Sequence, residues 1–214
     1  MIVAVHQPQY LPWLGYFDKM DRADVFVLLD TVQFKKNEWQ NRNRIKTASG
    51  PQWLTAPVTY RFPQRIREVE INNRERWQHR QRQAILTNYR QAPCWDFVAP
   101  LIEELLTPAW ERLSLLNISS VAGLAKLLGI ATPLFVASEL PEFPEDPDRR
   151  LIAIVKYFGA DTYLAGGGGR DYMDLDLYRQ SGINVSFQEY RHPVYEQRFG
   201  PFVPFLSVLD LLFN

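Results

Sequence analysis

Cysteine is almost missing from this sequence. One residue, Cys94, stands in 214, which excludes an internal disulfide and any cysteine-rich zinc site. Histidine is scarce too: His6, His79 and His192 lie far apart and make no metal-ligand spacing. Net charge is absent. Lys plus Arg and Asp plus Glu are both 24, which argues against a polyanion-binding surface and so against nucleic acid, but leaves room for a local basic site. No apolar run reaches the roughly 18 residues of a membrane span. The N-terminus enters an apolar stretch directly, with no basic leader. Repeats and low-complexity tracts are lacking as well. These absences predict a soluble cytoplasmic protein.

What is present supports a packed core: 46% of residues are hydrophobic and 14% aromatic, in a length suited to one α/β domain or two small ones. Val3 to Val5 reads as a buried strand that ends at His6. Pro8 and Pro12 pin the following turn, and Trp13, Phe17 and Met20 fall at helical spacing beyond it. Ala23 to Asp30 is a second strand, completing a βαβ unit that should be parallel. His6, Gln7, Gln9 and Tyr10 therefore sit where a strand hands over to a helix, the usual place for a ligand in an open α/β sheet. Residues 31–45, a loop by their polarity, follow a strand end and are expected on the same edge. They carry Gln33, Lys35, Lys36, Gln40, Asn41, Arg42, Asn43 and Arg44. Paired guanidiniums suit phosphate or carboxylate. A solvated polar loop is the plain alternative.

Further on, strands are expected at 52–58 and, exposed and alternating, at 65–71. Helices are expected at 74–89, 97–106, 110–116 and 121–128, the last capped by Asn117 or Ser119. The basic cluster between Arg74 and Arg82 reads as a solvated face. A short strand at 132–138, an acidic proline-rich loop at 139–147, a helix at 149–158 and a strand at 162–165 follow. Gly166 to Gly169 then stand between that strand and a helix expected at 173–180. Four glycines permit φ > 0 and exposed N–H groups, so Gly167, Gly168 and Arg170 are candidates for an anion nest; a flexible turn is the alternative. After a strand at 184–189, His192 and Tyr195 again place polar groups at a strand end, His192 as a base, a phosphate donor or a structural histidine. Residues 201–214 look like an amphipathic closing helix. The whole reads as one domain, 1–214, with a mainly helical insertion at about 74–128.

His6-Gln-Pro-Gln-Tyr-Leu-Pro-Trp-Leu-Gly-Tyr-Phe17, Leu29-Asp-Thr-Val-Gln-Phe34, Gln40-Asn-Arg-Asn-Arg-Ile45, Trp53-Leu-Thr-Ala-Pro-Val58 and Phe205-Leu-Ser-Val-Leu-Asp-Leu-Leu-Phe-Asn214 resemble the WbqC-like family over nearly the whole chain. That resemblance implies a place in bacterial O-antigen or other surface-polysaccharide assembly and a transferase moving glycine, or another acyl or aminoacyl group, to an amino sugar. It also implies that the native chain runs a little beyond Asn214. The order strand, histidine turn, helix, Ala-Asp strand is similar in outline to HIGH-motif nucleotide-binding folds such as that of pantothenate synthetase, with a later glycine run leading to Asp171-Tyr172. It implies a Rossmann-like, HUP-like three-layer fold with a mainly parallel sheet, and ATP with Mg²⁺ as cofactor. The chain departs from that pattern: it has one histidine where the motif has two, Tyr10 near the second, and no lysine-rich loop.

Together these readings give His6 a phosphate or oxyanion contact, Asp30 or His192 the role of base, and Arg42, Arg44 and Arg170 the charges of a nucleotide-linked amino sugar and its amino-acid or acyl donor. Gln7, Tyr10, Gln33, Asn41, Gly167, Gly168 and Tyr195 complete the expected binding set, and no metal is assigned to side chains. A homo-oligomer is compatible with the sequence. The alternative is a non-catalytic sugar-nucleotide or glycan binding protein that assists a transferase, using Trp13, Trp39 and Trp53 for stacking. A further alternative is that the polar strand ends build an interface. The transferase reading expects the segments around positions 6, 42, 170 and 192 to share one cavity.

Overall fold

A computed structural model describes residues 1–214. In chain order its elements are β1 (Ile2–His6), α1 (Leu14–Asp21), β2 (Val25–Leu28), β3 (Arg42–Thr47), β4 (Gly50–Thr55), β5 (Val58–Thr59), β6 (Glu70–Ile71), α2 (Trp77–Tyr89), α3 (Trp95–Leu106), α4 (Leu113–Leu127), β7 (Leu134–Val136), α5 (Pro147–Tyr157), β8 (Thr162–Ala165), α6 (Leu175–Gln180), β9 (Asn184–Phe187) and α7 (Val208–Phe213). Two compact units interleave along the chain. The first is Met1–Gln7, Gly15–Leu29 and Ile130–Arg191; the second is Pro8–Leu14, Asp30–Gly129 and His192–Asn214.

The first unit is an α/β Rossmann-like fold. Five parallel strands run in the order β7-β2-β1-β8-β9. Val3 to Val5 and Val25 to Leu28 are buried in succession rather than alternately, as expected of strands covered on both faces. The order reverses between β1 and β8: from β1 the chain first builds outward through β2, then returns to add β8 on the other side. Pro147 opens α5 behind an Asp146 cap, whose carboxylate accepts from the Arg149 N–H, and Gly159 stops it at φ +64°. Two expectations change here. Helix α1 starts at Leu14, so Trp13 leaves the apolar stripe of Phe17 and Met20. None of Gly166 to Gly169 takes a positive φ; they enter a 3₁₀ turn, Gly167–Asp171, and α6 begins only at Leu175.

The second unit holds the helical segment and two small antiparallel sheets, β3-β4 and β5-β6. The segment expected as a loop on the sheet edge is strand β3 from Arg42 onward, paired with β4 from Arg42↔Thr55 to Thr47↔Gly50 and outside the parallel sheet. Its inward polar groups are what allow this. Asn43 Nδ2 donates to Leu11 O (2.7 Å), Asn43 Oδ1 accepts from Arg44 N (2.8 Å), and Tyr89 Oη accepts from Lys46 N (2.9 Å). Residues 65–71 are not one exposed strand: Ile66–Glu68 is a 3₁₀ turn, and Ile66, Val69 and Ile71 are buried. Helix α4 runs straight through Asn117 and Ser119 instead of starting there. Asn117 is fully buried and donates to two loop carbonyls, Pro8 O (3.1 Å) and Gln40 O (2.7 Å). The closing helix is shorter than its apolar pattern; Ser207 Oγ caps α7 by accepting from Leu209 N. Phe213 then stacks on Tyr89 and Trp95.

Candidate functional site

In the first unit, β1 and β8 are neighbours, in register Val3↔Tyr163 and Ala4↔Leu164. Continuing that register sets His6 level with Gly166. The end of β1 and the glycine run thus face the crevice at the strand-order reversal. His6 Nδ1 lies 3.2 Å from Gln7 O. A carbonyl only accepts, so Nδ1 carries the proton and Nε2 keeps its lone pair. The ring packs on Tyr16 at 4.7 Å. Burial first, then the nearby Lys19 charge, push the imidazole down to about 3, so His6 is neutral near pH 7. A neutral ring with a lone pair on Nε2 accepts hydrogen bonds there. That is unsuited to the phosphate contact expected of it.

Lys19 is the group that the motifs did not single out. It lies within the buried stripe of α1, donates to Val5 O (2.9 Å), sits over the Tyr163 ring, and is pushed down to about 7 by burial. A lysine between Phe17 and Met20 was the only sign of it in the sequence. Among the glycines, a Cβ on Gly169 would come within 2.8 Å of Met173 Sδ, and one on Gly167 within 3.3 Å of Gln188 O, whereas Gly166 and Gly168 face open space. Arg170 is exposed, pairs with Glu189 at 3.6 Å and lies over the Phe187 ring.

The second unit holds a different arrangement. Arg42 and Arg44 alternate onto one face of β3, and both guanidiniums lie over the Trp53 ring, at 4.3 and 5.5 Å from its centroid. Their Nε atoms are buried without a hydrogen-bond partner, and neither side chain has an ion pair. Trp53 in turn meets Trp39 at 5.7 Å, and Trp39, Trp13 and Phe205 line a cavity of about 210 Å³. Phe205 is held at φ +58°, a costly conformation for a bulky residue, with its ring against Trp13 and His192. His192 Nδ1 is 2.8 Å from Pro193 O, so Nδ1 carries a proton.

Tyr10 is fully buried and donates to Gln81 Oε1; Asn41 is buried, with Nδ2 on Ala56 O (3.2 Å) and Oδ1 accepting from Asn37 N (3.1 Å). Both serve the packing of the second unit rather than a ligand. Asp30 is buried at 2% exposure, with its carbonyl accepting from Arg67 N, so its carboxylate does not stand as a base open to substrate. Gln7 offers its carbonyl to His6 and Tyr16. Gln33 is exposed and bridges to Arg65. Tyr195 donates to Asp210 Oδ2 (2.9 Å), a carboxyl raised by burial that also accepts from Tyr89 (2.6 Å). His6, Gln7, Gly167, Gly168 and Arg170 belong to the first unit; Arg42, Arg44, His192 and Tyr195 to the second. No three His, Cys, Asp or Glu side chains group in a way that could hold a metal ion, and no helix is long and apolar enough to cross a membrane.

The chain is 37% identical over 220 residues to the uncharacterized protein Rv1507c of Mycobacterium tuberculosis, covering 99% of this chain and 93% of that protein. No solved structure matches it significantly. The sequence profile of the WbqC-like protein family matches residues 7–214, which takes in the His6 turn from Gln7 onward, β3 and the closing helix. The chain is therefore a member of the WbqC-like protein family.

Proposed function

We propose that the protein is a transferase that moves an acyl or aminoacyl group, such as glycine, onto the amine of a nucleotide-linked sugar in the assembly of bacterial O-antigen or another surface polysaccharide. The observation that carries this reading is the meeting of His6 and the glycine run at the carboxyl ends of β1 and β8, where the strand order reverses. The family resemblance supports the amino-sugar acceptor. The open backbone at Gly166 and Gly168 fits a phosphate chain, and these residues would hold ATP. When bound, ATP supplies the activation of a carboxyl group, and Mg²⁺ would enter with the nucleotide. Neutral His6 accepts an N–H of the incoming amine at Nε2, which leaves the nitrogen lone pair free for the acyl carbon. As the C–N bond forms, the bond to the leaving group breaks and the amine proton passes to water. The cytoplasm, where soluble nucleotide-linked sugars would be met, is part of the same proposal.

Incubation with glycine, ATP and UDP- or dTDP-linked amino sugars tests it, with AMP release and a glycyl mass gain on the sugar as readouts. His6→Gln should reduce turnover about 100-fold or more while the circular dichroism spectrum is kept. No product from any acceptor, with no thermal shift from any nucleotide, overturns the reading. The exposed Trp53 and Phe205 beside unpaired arginines favour a second reading, a sugar-nucleotide binding protein that assists a transferase.

A further inference from the structure

We infer that the second unit carries a binding site of its own for a phosphate ester that bears one ring, with the phosphate on Arg42 and Arg44 and the ring in the slot of Trp13, Trp39 and Phe205. Arg42, Arg44 and Lys46 alternate along one face of β3. Lys46 is consumed by the fold: its ammonium donates to Gln197 Oε1, Gly200 O and Pro201 O. The two arginines are not. Neither guanidinium makes a hydrogen bond or an ion pair with the protein, although partly buried guanidiniums ordinarily find carboxylates. Their stacking on Trp53 holds both forks in place without using their N–H groups, which is what bidentate phosphate recognition needs.

The second observation is independent of charge. Trp39, Trp53 and Phe205 expose 37%, 43% and 49% of their surface and stand together, a costly thing to leave to water. Phe205 is moreover fixed at positive φ to form one wall. The cavity of about 210 Å³ lies below the roughly 300 Å³ at which drug-sized pockets begin, so it admits a single ring. Trp39 joins the two halves, since it lines the slot and touches the indole that carries the arginines. A pyranose offering its C–H face and a nucleobase offering its π face share this chemistry.

The inference does not depend on the transfer reaction, and its test is binding alone. The full-length protein is titrated in a calorimeter with glucosamine 1-phosphate, UMP and inorganic phosphate. Either ester should bind at least about tenfold more tightly than inorganic phosphate, the sugar ester leading if a pyranose fills the slot and UMP if a base does. Arg42→Ala/Arg44→Ala should weaken the ester about tenfold or more. Arg42→Lys, which keeps the charge and loses the fork, should weaken it less. Trp39→Ala should remove the advantage over inorganic phosphate. Thermal unfolding of each variant confirms a folded sample. Failure of both esters to bind, equal affinity for inorganic phosphate, or affinity untouched in the double variant overturns the inference. A protein that binds the ester in this way yet transfers nothing keeps this site and loses the transferase reading.

Discussion

Lys19 in the first unit and Lys46 in the second are both almost wholly buried, at 3% and 2% exposure, and the fold answers them differently. Lys19 has one acceptor, Val5 O, and a ring beneath it; Lys46 has three oxygens. The arginines differ as well. Arg170 of the first unit meets Glu189, whereas the Arg42 and Arg44 guanidiniums of the second lie over indole with no carboxylate beside them. A cation supplied with oxygens by its own chain is part of the structure. One that is held rigidly and left without them is a place for something that arrives from outside.

The sharpest way to break this comparison is to remove the answered cation. Lys46→Met should destabilise the protein by about 3 kcal/mol, because three acceptors lose their donor; the midpoint of urea unfolding measures it. Lys19→Met should stay within about 1 kcal/mol of the parent, since the lost bond to Val5 is offset by no longer burying a charge. If the two cost the same, the distinction between them fails.

Next in size is the dependence on pH. Lys19 falls from 10.5 to about 7 on folding, so between these values the unfolded chain binds more protons and stability climbs as pH rises. Lys19→Met should flatten that climb. His6 falls from 6.5 to about 3, so its contribution is full above 6.5 and drains away as pH falls through that window. Asp210, raised by burial, acts with the opposite sign just above its ordinary 3.8. Thermal unfolding across pH 3 to 10 of the parent and of His6→Gln reads both.

Smaller still are the unanswered arginines. Arg42→Gln gives up a cation–π contact and relieves an unpaired, partly buried charge, so stability should change by less than about 1 kcal/mol although ester binding weakens. Arg170→Ala breaks a pair that is 60% and 84% exposed, and should move stability by no more than about 0.5 kcal/mol.

The parallel sheet was legible in the sequence because its strands are apolar on both faces and stop at polar residues; Val3 to His6 and Thr162 to Ala165 could hardly read otherwise. Strand β3 was not. Arg42 to Lys46 has one apolar residue in five, and only tertiary partners such as Leu11 O and Tyr89 Oη turn that polar run into a buried strand. The same holds for Asn117, a cap by local preference that the loops at Pro8 and Gln40 recruit into mid-helix. Of the site, Arg42 and Arg44 could be named from their spacing. The wall formed by Phe205 could not, because a positive φ at phenylalanine leaves no trace in composition or periodicity. Tyr10 and Asn41 looked like ligand groups since a side chain that binds backbone and one that binds substrate are the same residue type.

The most direct measurement uses the six tryptophans as reporters. In a ¹⁵N spectrum of the indole N–H groups, titration with glucosamine 1-phosphate or UMP, whichever binds more tightly, should shift Trp13, Trp39 and Trp53 and leave Trp77, Trp95 and Trp110 in place. No shift at the first three, or equal shifts at all six, would contradict the claim that the arginines left without partners mark a ligand site.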